Sequence, residues 1–161
     1  MSVRMKLVAV VAVFACAALA APQVASANKE KTRTVDGTFK LAILESSATV
    51  NHFAGRWTGK PFGTSAGLGV AALTNTPTGL ITESRSTFYG KKGTVKLKAT
   101  DAVQFQPDGS ISLNGTFKIT GGSGRYKGAS GSGTFNGALP PGSSLTVGTV
   151  VTFDVDGKAR Y

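Results

Sequence analysis

From residue 37 onward, apolar and polar residues alternate in short runs, and no segment repeats its apolar positions at a helical period. In "GTVKLKATD", Val95, Leu97 and Ala99 point one way and Lys96, Lys98 and Thr100 the other. In "SISLNGTFKIT", Ile111, Leu113, Phe117 and Ile119 oppose Ser112, Asn114, Thr116 and Lys118. Phe39, Leu41 and Ile43 share a face, as do Leu145, Val147, Val151, Phe153 and Val155. Such strands, apolar on one side only, belong to antiparallel sheets. Turn-forming clusters part them: "KPFG" from Lys60, "NTPTG" from Asn75, "YGKKG" from Tyr89, "PDG" from Pro107 and "LPPGSS" from Leu139. The pattern predicts about eight strands, near 37–45, 53–59, 65–73, 79–89, 93–101, part of 102–106, 110–119, 131–138 and 145–158. Closure into one antiparallel eight-stranded β-barrel is expected, because closure removes exposed sheet edges.

The amino terminus sets the expected compartment. Arg4 and Lys6 precede an apolar run of fourteen residues, Leu7 to Ala20, and Ala25-Ser26-Ala27 forms an A-x-A cleavage site. This is the order of a secretory signal peptide, and the run is shorter than the roughly 20 residues of a membrane helix. The expected layout is a signal peptide over 1–27, a loose arm over 28–35 and a barrel over 36–161, exported without a transmembrane segment. A lipoprotein anchored at Cys16 fits less well, since Phe14 is bulky where a lipobox needs a small residue. Cys16 is the only cysteine and leaves with the signal, which excludes disulfides, thiolate chemistry and cysteine-held metals from the mature chain.

Charge adds one expectation. Of 18 Lys and Arg, Arg4 and Lys6 depart with the signal, leaving 16 against 8 acidic residues. The cations are scattered, which suits either solubility or attraction to an anionic envelope polymer or lipid head groups. A nucleic-acid partner is not expected on an exported chain without a dense basic run.

The stretch "ITGGSGRYKGASGSGTFNG", Ile119 to Gly137, holds seven glycines in nineteen residues. It matches neither the P-loop nor the dinucleotide fingerprint, and no helix pattern follows it. A structural role is expected instead, with Gly121 and Gly122 ending a strand, Gly124 to Gly128 turning, and Tyr126 pinning the turn. The motif G-G-[ST]-G-[RK]-[FY]-x-x-A-x-G is carried by Gly121, Gly122, Ser123, Gly124, Arg125, Tyr126, Ala129 and Gly131. It resembles the glycine-rich corner of the allene oxide cyclase and dirigent-like barrels, and more so that of small secreted actinobacterial proteins with such a barrel. "GKPFGTSAGLG" from Gly59 and the closing "GKARY" also resemble those secreted members. The resemblance implies an eight-stranded antiparallel barrel with a central cavity, in which the plant members steer reactive small molecules. None of their pocket residues transfers to a position here, so catalytic residues stay unassigned.

Candidate chemistry is sparse. Ile81, Glu83, Arg85, Thr87 and Tyr89 share one face of a strand whose other face is Thr82, Ser84, Ser86 and Phe88, and the pattern leaves open which faces inward. If the odd face does, Glu83, Arg85 and Tyr89 become lumen residues able to orient a ligand carbonyl or hydroxyl; otherwise Glu83 and Arg85 are solvent-facing. Asp101 continues the apolar face of Val95, Leu97 and Ala99, which makes it a lumen candidate, although a rim position at the strand end is the plainer expectation, as it is for Glu45. His52 lacks the partners of a nucleophile motif or metal site and is expected on a loop or rim. Trp57 either stacks on a sugar or base or covers a barrel end. "NGT" at Asn114 falls inside a strand and is read as a chance sequon. No metal or cofactor is expected. The leading expectation is a non-enzymatic barrel holding a small apolar or amphipathic molecule or an envelope component. A cofactor-free cyclase, isomerase or stereochemical guide and a basic adhesive envelope protein are the alternatives.

Overall fold

Eight strands that each present one apolar face can bury all of those faces together by curling round a common axis. A computed structural model describes residues 31–161, and the chain does this. The strands are β1 (Thr32–Ser46), β2 (Val50–Lys60), β3 (Gly63–Thr76), β4 (Gly79–Gly90), β5 (Gly93–Phe105), β6 (Ile111–Gly122), β7 (Ser130–Leu139) and β8 (Val150–Arg160). Each pairs antiparallel with its chain neighbours, and β8 returns to β1, from Thr32 opposite Arg160 to Ala42 opposite Val150, so the barrel is closed. The expected signal peptide and residues 28–30 lie outside the described residues.

Three boundaries differ from expectation. Thr32 to Val35, expected in a loose arm, form the first part of β1 because Arg160 back to Gly157 supplies their hydrogen-bond partners. The two pieces expected at 93–101 and 102–106 are one strand to Phe105, since β4 and β6 flank it throughout. Leu145 and Val147, expected within the last strand, sit in the connection before β8.

The interior is a lattice of phenylalanines laid over glycines. Phe53 stands across from Gly69, Phe88 from Gly67, Phe117 from Gly133, Phe135 from Gly115 and Phe153 from Gly137. Between β6 and β7 the arrangement is reciprocal: Gly115-Thr116-Phe117 runs antiparallel to Gly133-Thr134-Phe135, and each ring covers the other strand's glycine. A ring that needs more width than one inward position provides takes the space a Cβ would fill. A Cβ on Gly115, for example, would stand 2.4 Å from the Phe135 ring.

One end is plugged. Trp57, Phe62, Tyr126 and Tyr161 pack edge-to-face or tilted, with ring centroids 6.2 Å apart for Trp57–Phe62, 5.3 Å for Phe62–Tyr126 and 5.1 Å for Tyr126–Tyr161. Tyr126 arrives there on a single turn of 3-10 helix, Gly124–Tyr126, inside the glycine corner. Gly124 at φ +57° starts that turn in the left-handed region, and a Cβ there would press on the Lys92 carbonyl at 2.6 Å. The glycine corner is thus a turn that carries Tyr126 into the plug: Gly121 and Gly122 close β6, and Tyr126 is buried.

Trp57 is 5 % exposed, and its indole Nε1 has no hydrogen-bond partner in the protein. Trp57→Ala is therefore expected to lower unfolding free energy by about 3–5 kcal/mol, the usual loss for emptying a large aromatic site. Trp57→Phe sacrifices less ring area and removes an unpaired donor, so its expected loss is about 1–2 kcal/mol. Urea denaturation of the two variants measures the difference.

Candidate functional site

The aromatic plug leaves space behind it. A cavity of about 150 Å³ runs from the plug toward the opposite end of the barrel. Phe39, Phe53, Phe117, Phe135 and Phe153 furnish its bulky wall. The facing wall is built from small residues: Ala71 on β3, Ser84 and Ser86 on β4, and Ala99 on β5. The void exists because that wall supplies methyls and hydroxyls where a filled barrel would supply Leu or Val.

Polarity is concentrated on the same side. Thr82 and Asp101 face each other across β4 and β5, both buried, and the Thr82 hydroxyl donates to Asp101 Oδ1. Asp101 stands across from Gly115 on its other side, where a Cβ would crowd the Asp101 Cβ at 2.6 Å. Burial raises the Asp101 carboxyl above the ordinary carboxylate range, and the Thr82 hydrogen bond offsets part of that rise. Asn51 on β2 also lines the cavity, 7 % exposed, with its Oδ1 lacking a partner in the protein. An apolar chamber thus carries a carboxyl able to hold its proton and an unpaired amide oxygen. A ligand hydroxyl, amine or carbonyl could meet these groups without exposing them to water.

The end opposite the plug is the mouth. Its connections are 47–49, 77–78, 106–110 and 140–149, and Leu145 from the last reaches the cavity. Exposed Leu44, Ile81, Phe105, Val147 and Val150 lie at or next to these connections. An apolar molecule entering there would meet apolar surface before reaching the lumen.

The structure rearranges the residues singled out from sequence. Glu83, Arg85 and Tyr89 project outward and do not reach the lumen; their strand turns its even face, Thr82, Ser84, Ser86 and Phe88, to the cavity. The physical reason is desolvation: two charges inside an apolar chamber cost several kcal/mol each, whereas three hydroxyls cost far less. Asp101 is in the lumen and not on the rim, because β5 continues four residues beyond it. Glu45 is exposed close to the end of β1, and His52 is exposed on the outer face of β2. Trp57 covers the closed end from within, so it is not free to stack on a sugar or base. Asn51 and Thr82 were missed. For Asn51 a signal was available, since it lies two residues from Phe53 in the alternation; for Thr82 none was, since its strand's pattern did not show which face turns inward.

The raised Asp101 carboxyl has a testable sign. Between the ordinary carboxylate pKa and the raised one, the folded protein holds a proton that the unfolded chain has released, so stability falls as pH rises through that window. Asparagine at this position removes the ionisation. Asp101→Asn is expected to gain stability relative to the parent as pH goes from about 3.5 to about 7. Paired urea titrations at the two pH values check this; a difference between the proteins that is constant with pH would refute it.

No family model, curated protein or solved structure matches the chain.

Proposed function

We propose that the chain is a secreted carrier or scavenger of one small amphipathic molecule, held inside the barrel. The observation that carries this reading is the 150 Å³ apolar chamber with Asp101, hydrogen-bonded to Thr82, on its small-residue wall. A cavity near 150 Å³ accommodates a body about the size of a benzene ring, as an engineered lysozyme cavity does. The ligand therefore has a compact ring or short branched chain, with one hydroxyl, amine or carbonyl directed at Asp101 and Asn51. Apolar burial supplies affinity, and the polar wall supplies orientation.

Native mass spectrometry of protein recovered from its own secretion medium tests for a retained molecule. Thermal shift against monocyclic phenols, aromatic amines and short branched acids tests the class directly. The expected result is a rise in melting temperature for molecules of this size with one polar group, smaller for Asp101→Asn. Empty protein with no shift across such a panel refutes the reading.

The buried carboxyl favours a second reading, a cofactor-free cyclase or isomerase of the kind the glycine-corner resemblance implies. A protonated Asp101 could give its proton to a bound electrophile and recover it from the product, with water kept out by the aromatic walls. Loss of turnover in Asp101→Asn with ligand binding kept would support it.

A further inference from the structure

Seven of the fifteen Lys and Arg among the described residues stand at one end of the barrel. The closed end carries the turns β2–β3, β4–β5 and β6–β7 together with the start of β1 and the finish of β8. Lys60, across from Asp36 on β1, sits beside the first turn, Lys91 and Lys92 make the second, Arg125 and Lys127 lie in the third, and Lys31 and Arg160 stand near the ends of the described residues. All seven are exposed. None of the three turns contains an Asp or Glu, and the four connections of the mouth end contain no Lys or Arg.

Two of these turns are joined. The Arg125 N–H donates to the Lys92 carbonyl at 2.8 Å, and Ser123 bonds Thr94 through both backbone and side chain. Four cations are thereby held on adjoining turns, although like charges repel and the turns could be made from neutral residues. A hydrophobic plug needs no such rim. Tyr89, 51 % exposed, stands on the outer face just before Lys91, an aromatic of the kind that settles at a bilayer interface.

The distribution also selects the partner's shape. In an up-and-down barrel these turns and the chain ends come at every second strand, so the cations surround the end on all sides. A linear polyanion could touch one arc of such a ring, while a flat anionic surface meets all of it. We propose that the closed end docks on an anionic lipid bilayer, with the mouth facing away into water.

Co-sedimentation of the full chain with vesicles tests this. Vesicles of pure phosphatidylcholine are compared with vesicles containing one-quarter phosphatidylglycerol, at about 50 and about 300 mM salt. Binding is expected only to the anionic vesicles and is expected to weaken at high salt. Lys91→Glu with Lys92→Glu, or Arg125→Glu with Lys127→Glu, should each reduce it at least about tenfold. Lys98→Glu with Lys118→Glu, the same charge change on the barrel wall, should reduce it by less than about threefold. Glutamine at the turn positions serves if charge reversal impairs folding, with a smaller loss in the same order. Equal losses from wall and turn variants would show that net charge alone attracts the protein and would overturn the proposal. So would equal binding to neutral vesicles, which attachment through the apolar run Leu7–Ala20 would produce, or no binding. Polyphosphate measured in parallel completes the test: loss of polyphosphate binding in the turn variants with vesicle binding unchanged would also overturn it.

Discussion

Gly133→Ala is expected to cost about 3–5 kcal/mol, a large share of the roughly 5–15 kcal/mol by which folded domains ordinarily exceed their unfolded chains. A Cβ at this position would lie 2.0 Å from the Asp156 carbonyl oxygen on β8 and 2.6 Å from the Phe117 ring on β6. The ring could shift, but the carbonyl belongs to the ladder that joins β7 to β8, so relief requires those strands to part. Parting them reopens the edge that closure removed and uncovers Phe117 together. Alanine's better backbone propensity returns only about 0.5–1 kcal/mol. Circular dichroism with urea denaturation reads the effect, and Thr134→Val, one residue along on the outer face, is the control, expected within about 0.5 kcal/mol of the parent. Gly69→Ala makes the complementary case. There the nearest atoms belong to the Phe53 ring, at 2.3 and 2.6 Å, and the Arg85 carbonyl stands farther off at 2.8 Å than the carbonyl facing Gly133, so Phe53→Leu should recover part of the loss. No such recovery is expected for Gly133→Ala combined with Phe117→Leu, because the carbonyl contact remains.

Ala99→Phe is expected to abolish ligand uptake, by at least about a hundredfold in affinity, while leaving the barrel folded. Ala99 is half-buried on the small-residue wall, between Ser84 on β4 and Phe117 on β6, and its methyl borders the cavity. A phenyl ring there extends into vacant space, in contrast to a crowded glycine site, and occupies the place proposed for the ligand's body. Packing partners gained along the opposite wall should hold stability within about 1 kcal/mol of the parent. The measurement is calorimetric titration with whichever probe shifts the parent's melting temperature. Undiminished binding to Ala99→Phe would place the ligand outside the lumen. Because the closed-end cations lie far along the barrel from Ala99, this variant should bind anionic vesicles as the parent does, which keeps the two proposals separable.

Much of the architecture was legible from the alternation of residues. The inward faces of β1, β5 and β6 were visible in Phe39, Leu41 and Ile43, in Val95, Leu97 and Ala99, and in Ile111, Leu113, Phe117 and Ile119, because each pairs apolar positions with polar ones. Gly-Thr-Phe, repeated at residues 37–39, 115–117 and 133–135, was an unread clue to the ring-over-glycine lattice. Its meaning depends on register: only when β6 meets β7 with Phe117 across from Gly133 does each ring find its vacancy.

The strand at 79–90 marks where local pattern stops. Its odd face held Ile81 and Tyr89 as well as two charges, and its even face held Phe88 as well as hydroxyls, so neither was plainly the inner one. Closure decided it, since the neighbouring strands fix the rotation of each strand about its axis and the interior rejects unpaired charge. For Asp101 the lumen reading and the plainer rim reading stood side by side for a related reason: where a strand stops is set by what pairs with it, and β4 and β6 carry β5 on to Phe105.

What the amino-acid order determined alone is the all-β character, the two-faced strands, the turns between them and the tight corner around Tyr126. These follow from contacts between residues close in the chain, where side-chain period and φ preferences act. What only the tertiary structure decided is the cavity, the carboxyl within it and the cationic ring at the closed end. Each joins residues from strands or turns far apart in sequence, and their positions are set by ladder register and barrel closure, which no local stretch contains.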